Sequence, residues 1–433
     1  MSQFNRRDFL KVLAVAAPAS MLHIPLAQAS AKGRVVVVGG GFGGAAAAKY
    51  LKMQSPALDV TLVERNRIYT SCPLSNEVLS GHVKLKDLEV GYDGLAKRGI
   101  KVVIDEVTAV DPAKKTVSLK VGKALSYDAL VLSPGIDFNF AGIEGYSEAL
   151  ADGDLPHAYK AGPQTLALKK QLESMKDGGT FVITVPNGPF RCPPGPYERA
   201  SQVAAYFKKT GKTKSTVLIL DANDSFSKKG LFEQAWKLQY PGMIKWVPGA
   251  SDGKVVKIDA KTKTAYTNFG EHKADVLNVI PPHHAGLIAK NTGLTNERGW
   301  CTVNMLTMES TIQKDIWVVG DSCVHGELPV YGAPKSAHMA STQAKVAATA
   351  IIARLSGRPA PEPYFVNTCY SVTAPDWGFS VVHVYRVVDG KLVYALDAGG
   401  ISPIETPALA TQRKLESEYQ VGWHKNIMAD CFG

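Results

Sequence analysis

Cysteine is scarce in this chain, six in 433 residues. That is too few for a disulfide scaffold, so each cysteine has to be read by itself. No Cys-x-x-Cys-His occurs, which excludes an attached c-type haem on this chain, and no Cys/His grouping has zinc spacing. No apolar run is long and uninterrupted enough for a comfortable membrane span. The net charge is +10, yet no run of Lys or Arg is interleaved with aromatics. The charge therefore reads as a solvated basic surface that could help dock an acidic protein, not as a nucleic-acid site. What remains is an ordinary globular composition, 45% hydrophobic and 20% charged, with 39 glycines and 25 prolines for many turns. It can supply two or three cores.

The first residues do not read as fold. Asn5-Arg6-Arg7-Asp8-Phe9-Leu10-Lys11 is a twin-arginine pattern, followed by an apolar stretch from Val12 that Pro18 and His23 interrupt. Ala27-Gln28-Ala29 then offers a small-x-small cleavage site. Residues 1–29 are expected to be a signal for export of the folded chain to the periplasm. That route suits a protein that acquires a cofactor beforehand.

Four consecutive valines from Val35 lead into glycine, the pattern of a buried parallel strand. An alanine-rich helix (Ala45 to Met53) and a second apolar strand (Val60 to Val63) complete a βαβ unit. Strand-like runs recur at Lys101–Ile104, Ala129–Leu132, Thr180–Val185, Thr216–Leu220, Val276–Ile280 and Ile316–Val319, with helical stretches near Thr165–Met175, Tyr197–Lys209 and Ala337–Leu355. The alternation predicts an α/β fold of two Rossmann-like domains plus a small C-terminal α+β domain. The expected boundaries are 30–150 with 290–358, 151–289, and 359–433 after the linker Gly357–Pro363. The tail beyond Tyr364 suggests a small sheet (Gly378 to Val387, Lys391 to Leu396).

Gly39, Gly41 and Gly44 fill G-x-G-x-x-G between a strand and a helix, and Glu64 ends the next strand. The glycines allow the tight turn, the approach of a pyrophosphate to the backbone and close helix–strand packing, and the acid is placed for ribose hydroxyls. Ile316 to Asp321 is a strand ending Gly-Asp, and Tyr127 to Gly135 ends Ser-Pro-Gly. These resemble the second and middle FAD motifs of the two-dinucleotide-binding-domain flavoproteins, the middle one departing from their usual Ala-Thr-Gly. FAD is the expected cofactor, held by Gly39, Gly41, Phe42, Gly43, Gly44, Glu64, Arg65, Cys72, Val107, Ser133, Pro134, Gly135, Gly320, Asp321 and Lys335. The second strand–helix start, Pro186 to Pro196, is filled with prolines where donors for a phosphate should converge. No NAD(P)H site is expected there, so electrons must leave another way.

Cys72 follows Glu64 in the segment that passes the flavin in this architecture. It reads either as a thiolate within reach of the 8α carbon or as a small buried hydrophobe. Cys192 lies in the proline turn ahead of Glu198, and Cys369 lies just past the linker. A bond between them would tie the second domain to the tail, but six cysteines allow fifteen connectivities and the sequence does not choose. Cys301 and Cys323 read as core, Cys431 is left without a role, and His283-His284 reads as a surface loop pair.

The leader, Gly39–Gly44, Tyr69–Leu74, Arg191–Glu198, Gly320–Asp321, Tyr331–Lys335, Asn367–Tyr370 and Trp423–Gly433 together resemble the flavoprotein subunit of flavocytochrome c sulfide dehydrogenase, a relative of the sulfide:quinone reductases. The resemblance implies an 8α-S-cysteinyl FAD at Cys72, a redox-active Cys192–Cys369 disulfide, a proton-handling Glu198, sulfide as substrate and a c-type cytochrome subunit as partner. A membrane-surface sulfide:quinone reductase, an NAD(P)H-dependent disulfide reductase and a non-catalytic exported flavin binder are the competing readings.

Overall fold

The computed structural model describes residues 31–324, 333–395, 397–405 and 409–433. The expected leader, Tyr331-Gly332 and Leu396 lie outside the described residues.

Two parallel sheets organise the chain. The first has the strand order Ile316–Val318, Ala129–Leu132, Arg34–Val38, Asp59–Glu64, Lys101–Ile104. Its centre is Val35 to Val38, at most 5% exposed, because helices cover both faces. One of these, Phe42–Gln54, packs closely on Ala337–Leu355, since both present alanines (Ala45 to Ala48; Ala344, Ala347, Ala348) that are fully buried. The second sheet, Ile244–Val247, Thr216–Asp221, Thr180–Val185, Val276–Val279, is also all parallel. Each sheet has its own apolar core.

The strands expected from apolar runs are all present, and the α/β two-dinucleotide-fold architecture is as expected. Two small antiparallel sheets were not legible beforehand: Val107–Asp111 with Thr116–Leu119 and Leu125–Ser126, and Lys257–Asp259 with Thr264–Tyr266 and Glu271–Lys273. Their strands are two to five residues long, too short for a periodic signal.

The tail forms an antiparallel sheet, Tyr364–Ala374, Trp377–Val388 and Lys391–Tyr394, followed by a helix, Ala410–Phe432. That helix returns to the first domain. Phe432 packs on Phe42, Tyr69 and Tyr92, and the Lys49 ammonium donates to the Ala429 carbonyl (3.0 Å). Its buried face includes Arg413, Gln420 and His424, so a hydrophobic pattern does not reveal it.

Candidate functional site

The glycine loop is shaped by contacts that exclude side chains. Gly39 has φ 95°, and a Cβ there would stand 2.3 Å from the Ser133 carbonyl oxygen. A Cβ on Gly44 would stand 1.8 Å from the Gly39 oxygen, and one on Gly43 2.6 Å from Ser133 Oγ. Gly41 differs: its Cβ would meet only the Tyr69 ring, at 3.6 Å. Gly41 is also the N-cap of helix Phe42–Gln54, with no side chain capping that end. An uncapped helix N-terminus beside a clear backbone face is an anion cradle. Glu64 accepts from the Gly40 N–H (2.7 Å) and, through its other oxygen, from the Asn66 N–H (2.9 Å), which holds the acid beside the loop. Gly320 (φ 83°) and Asp321 follow the edge strand of the same sheet. Lys335 Nζ donates to the carbonyls of Asp321 (2.7 Å) and Cys323 (2.5 Å) and lies 3.7 Å from the Trp300 ring centre. Burial pushes Lys335 down to about 8. Ser133 N–H donates to Val38 O (2.8 Å), and Pro134 and Gly135 continue from the strand end. Val107 is half-buried against the first core, and Arg65 is exposed. The glycine loop, Glu64 and Asp321 fit an FAD: the uncapped helix end would take its phosphates, Glu64 a ribose and Asp321 the ribityl chain.

Cys72 is joined to Asp321 through Arg191, Cys192 is hydrogen-bonded to Lys335, and Cys369 lies within electrostatic reach of Cys192. Cys72 follows the short strand Tyr69–Thr70 and is half-buried. Its sulfur accepts from Arg191 Nη1 (3.6 Å), which also donates to the Tyr159 carbonyl (3.3 Å), while Arg191 Nε donates to Asp321 Oδ2 (2.7 Å). Burial opposes the guanidinium charge, but Cys72, Asp321 and Tyr69 outweigh it and push the Arg191 pKa up. His424 Nε2 lies 3.0 Å from Ser71 Oγ, so the tail helix closes over the Cys72 segment.

Cys192 sits in the proline turn with φ 53°. Its N–H donates to Lys335 O (2.9 Å), and its carbonyl accepts from the Gly195 N–H (2.8 Å) and the Tyr159 hydroxyl (3.3 Å). Cys369 lies mid-strand opposite Val381. Lys228, itself at φ 62°, donates from Nζ to the Cys369 carbonyl (3.2 Å) and sulfur (3.8 Å). Burial raises the Cys192 pKa well above that of an ordinary thiol. Charges at Cys369 and Glu198 add to the rise, and Lys228 opposes it. The two cysteines therefore share one electrostatic site, though both are free thiols in this structure.

Glu198 is buried on the helix Gly195–Lys209 and makes no ion pair among the described residues. Asn76 Nδ2 donates to one oxygen (3.1 Å) and the Val372 N–H to the other (2.9 Å). Burial raises its pKa against these donors and against Lys228 and Arg199. Arg199 is fastened to Asn76 Oδ1, Asn278 Oδ1 and the His157 and Ala158 carbonyls. Glu77 stands next along the chain from Asn76, with one oxygen buried and unpartnered. Burial, then the charge at Glu198, pushes it up to about 8. A carboxyl raised on folding stabilises the fold below its ordinary pKa, and that stability is lost as pH climbs toward 8. Glu77→Gln is expected to flatten this fall by roughly 2–3 kcal/mol between pH 6 and pH 8, read from urea unfolding at the two pH values.

His283 is corrected by the structure. It is buried, on the strand His283–Ala285, packed against Phe138, Tyr159 and Phe190, and its Nδ1 accepts from the Arg191 N–H (3.1 Å). The preceding prolines suggested a surface turn, but pairing with Ile136–Phe138 draws the segment inward. Arg191, Lys228, Glu77, Asn76 and Arg199 were not singled out from sequence. Only Arg191 carried a signal, its place beside Cys192. Cys301 and Cys323 are core residues, direct neighbours on parallel strands, and burial pushes both thiols up, Cys301 to about 12. Cys431 is also buried, and burial raises it to about 12.

The helix Gly195–Lys209 offers little to a phosphate. Its N-cap is Pro194, Pro196 lies in its first turn, and the Gly195 N–H is taken by Cys192. Among the described residues no group of His, Cys, Asp and Glu could hold a metal, and no helix is long and apolar enough to cross a membrane.

Three family profiles match this chain. Residues 165–281 match "Sulfide dehydrogenase [flavocytochrome c] flavoprotein chain, central" and 361–432 match "Flavocytochrome c sulphide dehydrogenase, flavin-binding". Residues 33–174 match "Pyridine nucleotide-disulphide oxidoreductase". A flavocytochrome c sulfide dehydrogenase flavoprotein chain from Chlorobaculum thiosulfatiphilum is 60% identical over 45 residues, 94% of that sequence and 10% of this one. The chain belongs to this flavoprotein family. Mouse mitochondrial sulfide:quinone oxidoreductase is 24% identical over 66% of this chain, and the match spans 65% of the mouse protein. The Aquifex aeolicus sulfide:quinone oxidoreductase structure superposes with TM-score 0.73 at 20% identity, covering 92% of this chain and 91% of that one. The flavoprotein family is thus related in fold to the sulfide:quinone oxidoreductases. The match over the tail places a flavin-binding segment where the antiparallel sheet and the final helix close on the cradle.

Proposed function

We propose that the chain oxidises sulfide at Cys192 and Cys369, carries FAD attached through Cys72, and passes electrons to a separate c-type cytochrome subunit. The observation that carries the reading is the convergence of Cys72, Cys192 and Cys369 on one cluster with Arg191, Lys228 and Glu198.

In the oxidised form the Cys192 and Cys369 sulfurs are joined. Hydrosulfide attacks one of them, the S–S bond breaks, and a persulfide and a thiolate result. The Lys228 ammonium beside the Cys369 sulfur offsets negative charge there. Glu198, kept protonated more readily by burial, takes or returns the proton of the exchange. Bound FAD supplies a two-electron acceptor able to release electrons singly. The sulfane sulfur leaves as persulfide or polysulfide. The proline-filled second site supports an acceptor other than NAD(P)+. The twin-arginine pattern at Arg6-Arg7 supports a periplasmic location, where a covalent flavin cannot be lost.

A second reading has quinone as acceptor. It draws on the exposed Ile401, Ile404, Leu409, Tyr419 and Val421 of the tail, which could meet a membrane surface. The two readings separate in one assay: sulfide-reduced protein is mixed with a c-type cytochrome or with a short-chain quinone. Under the first reading only the cytochrome is reduced at a useful rate. Covalent attachment is tested by acid precipitation. One FAD mass is expected to stay with the wild-type polypeptide and to be released entirely from Cys72→Ser. Free flavin in the wild-type supernatant would remove that part of the reading.

A further inference from the structure

We propose that Arg191 is the catalytic residue that delivers the Cys72 sulfur for covalent attachment of the flavin. The inference rests on the reading above that Cys72 carries FAD.

The arrangement argues for a task beyond packing. Arg191 is held at its backbone by His283, and its neighbour Cys192 is held by Lys335 O. Nε is taken by Asp321 at 2.7 Å, with side-chain exposures of 17% and 14% for the pair. Gly135, at φ 70°, presents no side chain to the guanidinium, and a Cβ there would come within 3.1 Å of Nη2. With Asp321 and the Tyr159 carbonyl fixing the fork, Nη1 is left aimed at the Cys72 sulfur at 3.6 Å. The same guanidinium therefore bridges Asp321, the acid that would meet the ribityl chain, and the Cys72 sulfur. That places a fixed positive charge beside the nucleophile.

Thiolate, not thiol, forms carbon–sulfur bonds, and an ordinary thiol is only a few per cent ionised near neutrality. Arg191 cannot act as the base, since guanidinium does not give up its proton in proteins. Its role is to stabilise the sulfur's negative charge as the bond forms. In the step, the S–H bond of Cys72 and one C–H bond of the 8-methyl group break and the S–C8α bond forms. Both protons pass to water. Dioxygen would take up the electron pair, with two protons from water, as hydrogen peroxide.

The test uses apoprotein of the full chain, loaded with FAD in air, with the covalent fraction followed by acid precipitation and intact mass. Arg191→Gln is expected to bind FAD, seen by co-elution in gel filtration, yet to form the thioether about 100-fold more slowly. Raising the pH from 7 to 9.5 should speed the variant more than the wild type, because only the variant lacks a cation to offset the charge on the attacking sulfur. A residue that only packs the loop would leave the pH response equal to that of the wild type. Arg191→Lys keeps the charge and guards against misfolding of the glutamine variant. Its shorter, single-ended ammonium cannot serve Asp321 and Cys72 together, so it should load several-fold more slowly than wild type. Either variant loading at the wild-type rate overturns the proposal. Wild-type protein that releases all its flavin in acid overturns instead the covalent reading on which it rests.

Discussion

Cys192→Ser and Cys369→Ser are each expected to slow sulfide-driven flavin bleaching by about a thousand-fold or more, while FAD content stays at the wild-type level. The magnitude follows from the chemistry. Serine oxygen cannot take part in thiol–disulfide exchange, so either replacement removes the bond that hydrosulfide attacks. Retained FAD follows from the geometry, because neither cysteine side chain belongs to the glycine loop or to the Glu64 and Asp321 anchors. Stopped-flow absorbance after sulfide addition gives the rate, and flavin per polypeptide gives the occupancy. Bleaching at wild-type rate in either variant would show that sulfide reaches the flavin without the pair, and the proposed mechanism would fall. A non-catalytic flavin binder would be untouched by both changes.

Gly44→Ala should be nearly as severe by a different route. The added methyl would stand 1.8 Å from the Gly39 carbonyl oxygen, and the positions of both atoms are fixed by the backbone of one tight loop. No side-chain rotation relieves such a contact, so the helix Phe42–Gln54 has to move off the sheet. A loss of about 3 kcal/mol or more is expected, with little or no FAD taken up. Gly41→Ala makes the contrast. Its methyl meets only Tyr69 at ordinary contact distance, so apoprotein stability should hardly change. FAD affinity should nevertheless fall steeply, since the methyl fills the face through which a phosphate approaches the helix end. Urea unfolding of apoprotein and FAD titration separate the two. A Gly41→Ala protein that binds FAD normally would mean the phosphates lie elsewhere.

The two sheets and the glycine loop were legible because their information is local. Val35 to Val38 is apolar without interruption, since a parallel strand covered on both faces needs no polar side. Gly39 and Gly44 must be glycine for reasons within a few residues, the positive φ of Gly39 and the 1.8 Å approach of a Gly44 Cβ to the Gly39 oxygen. An α+β tail was expected but its helix was given no range, because the buried face uses Arg413, Gln420 and His424, which satisfy polar partners in place of an apolar stripe. His283 was misread because the prolines before it describe a turn but not where the turn is pressed.

By itself, then, the sequence determined the alternation of strands and helices, the phosphate cradle, and which cysteines were worth following. Only the tertiary structure decided what stands next to each sulfur. Arg191 is 119 residues from Cys72 and 130 from Asp321, and Lys228 is 141 from Cys369. Periodicity and turn chemistry act over a turn or a strand, whereas these contacts arise where two sheets and the closing tail are packed against one another, and no contiguous stretch of chain encodes that meeting.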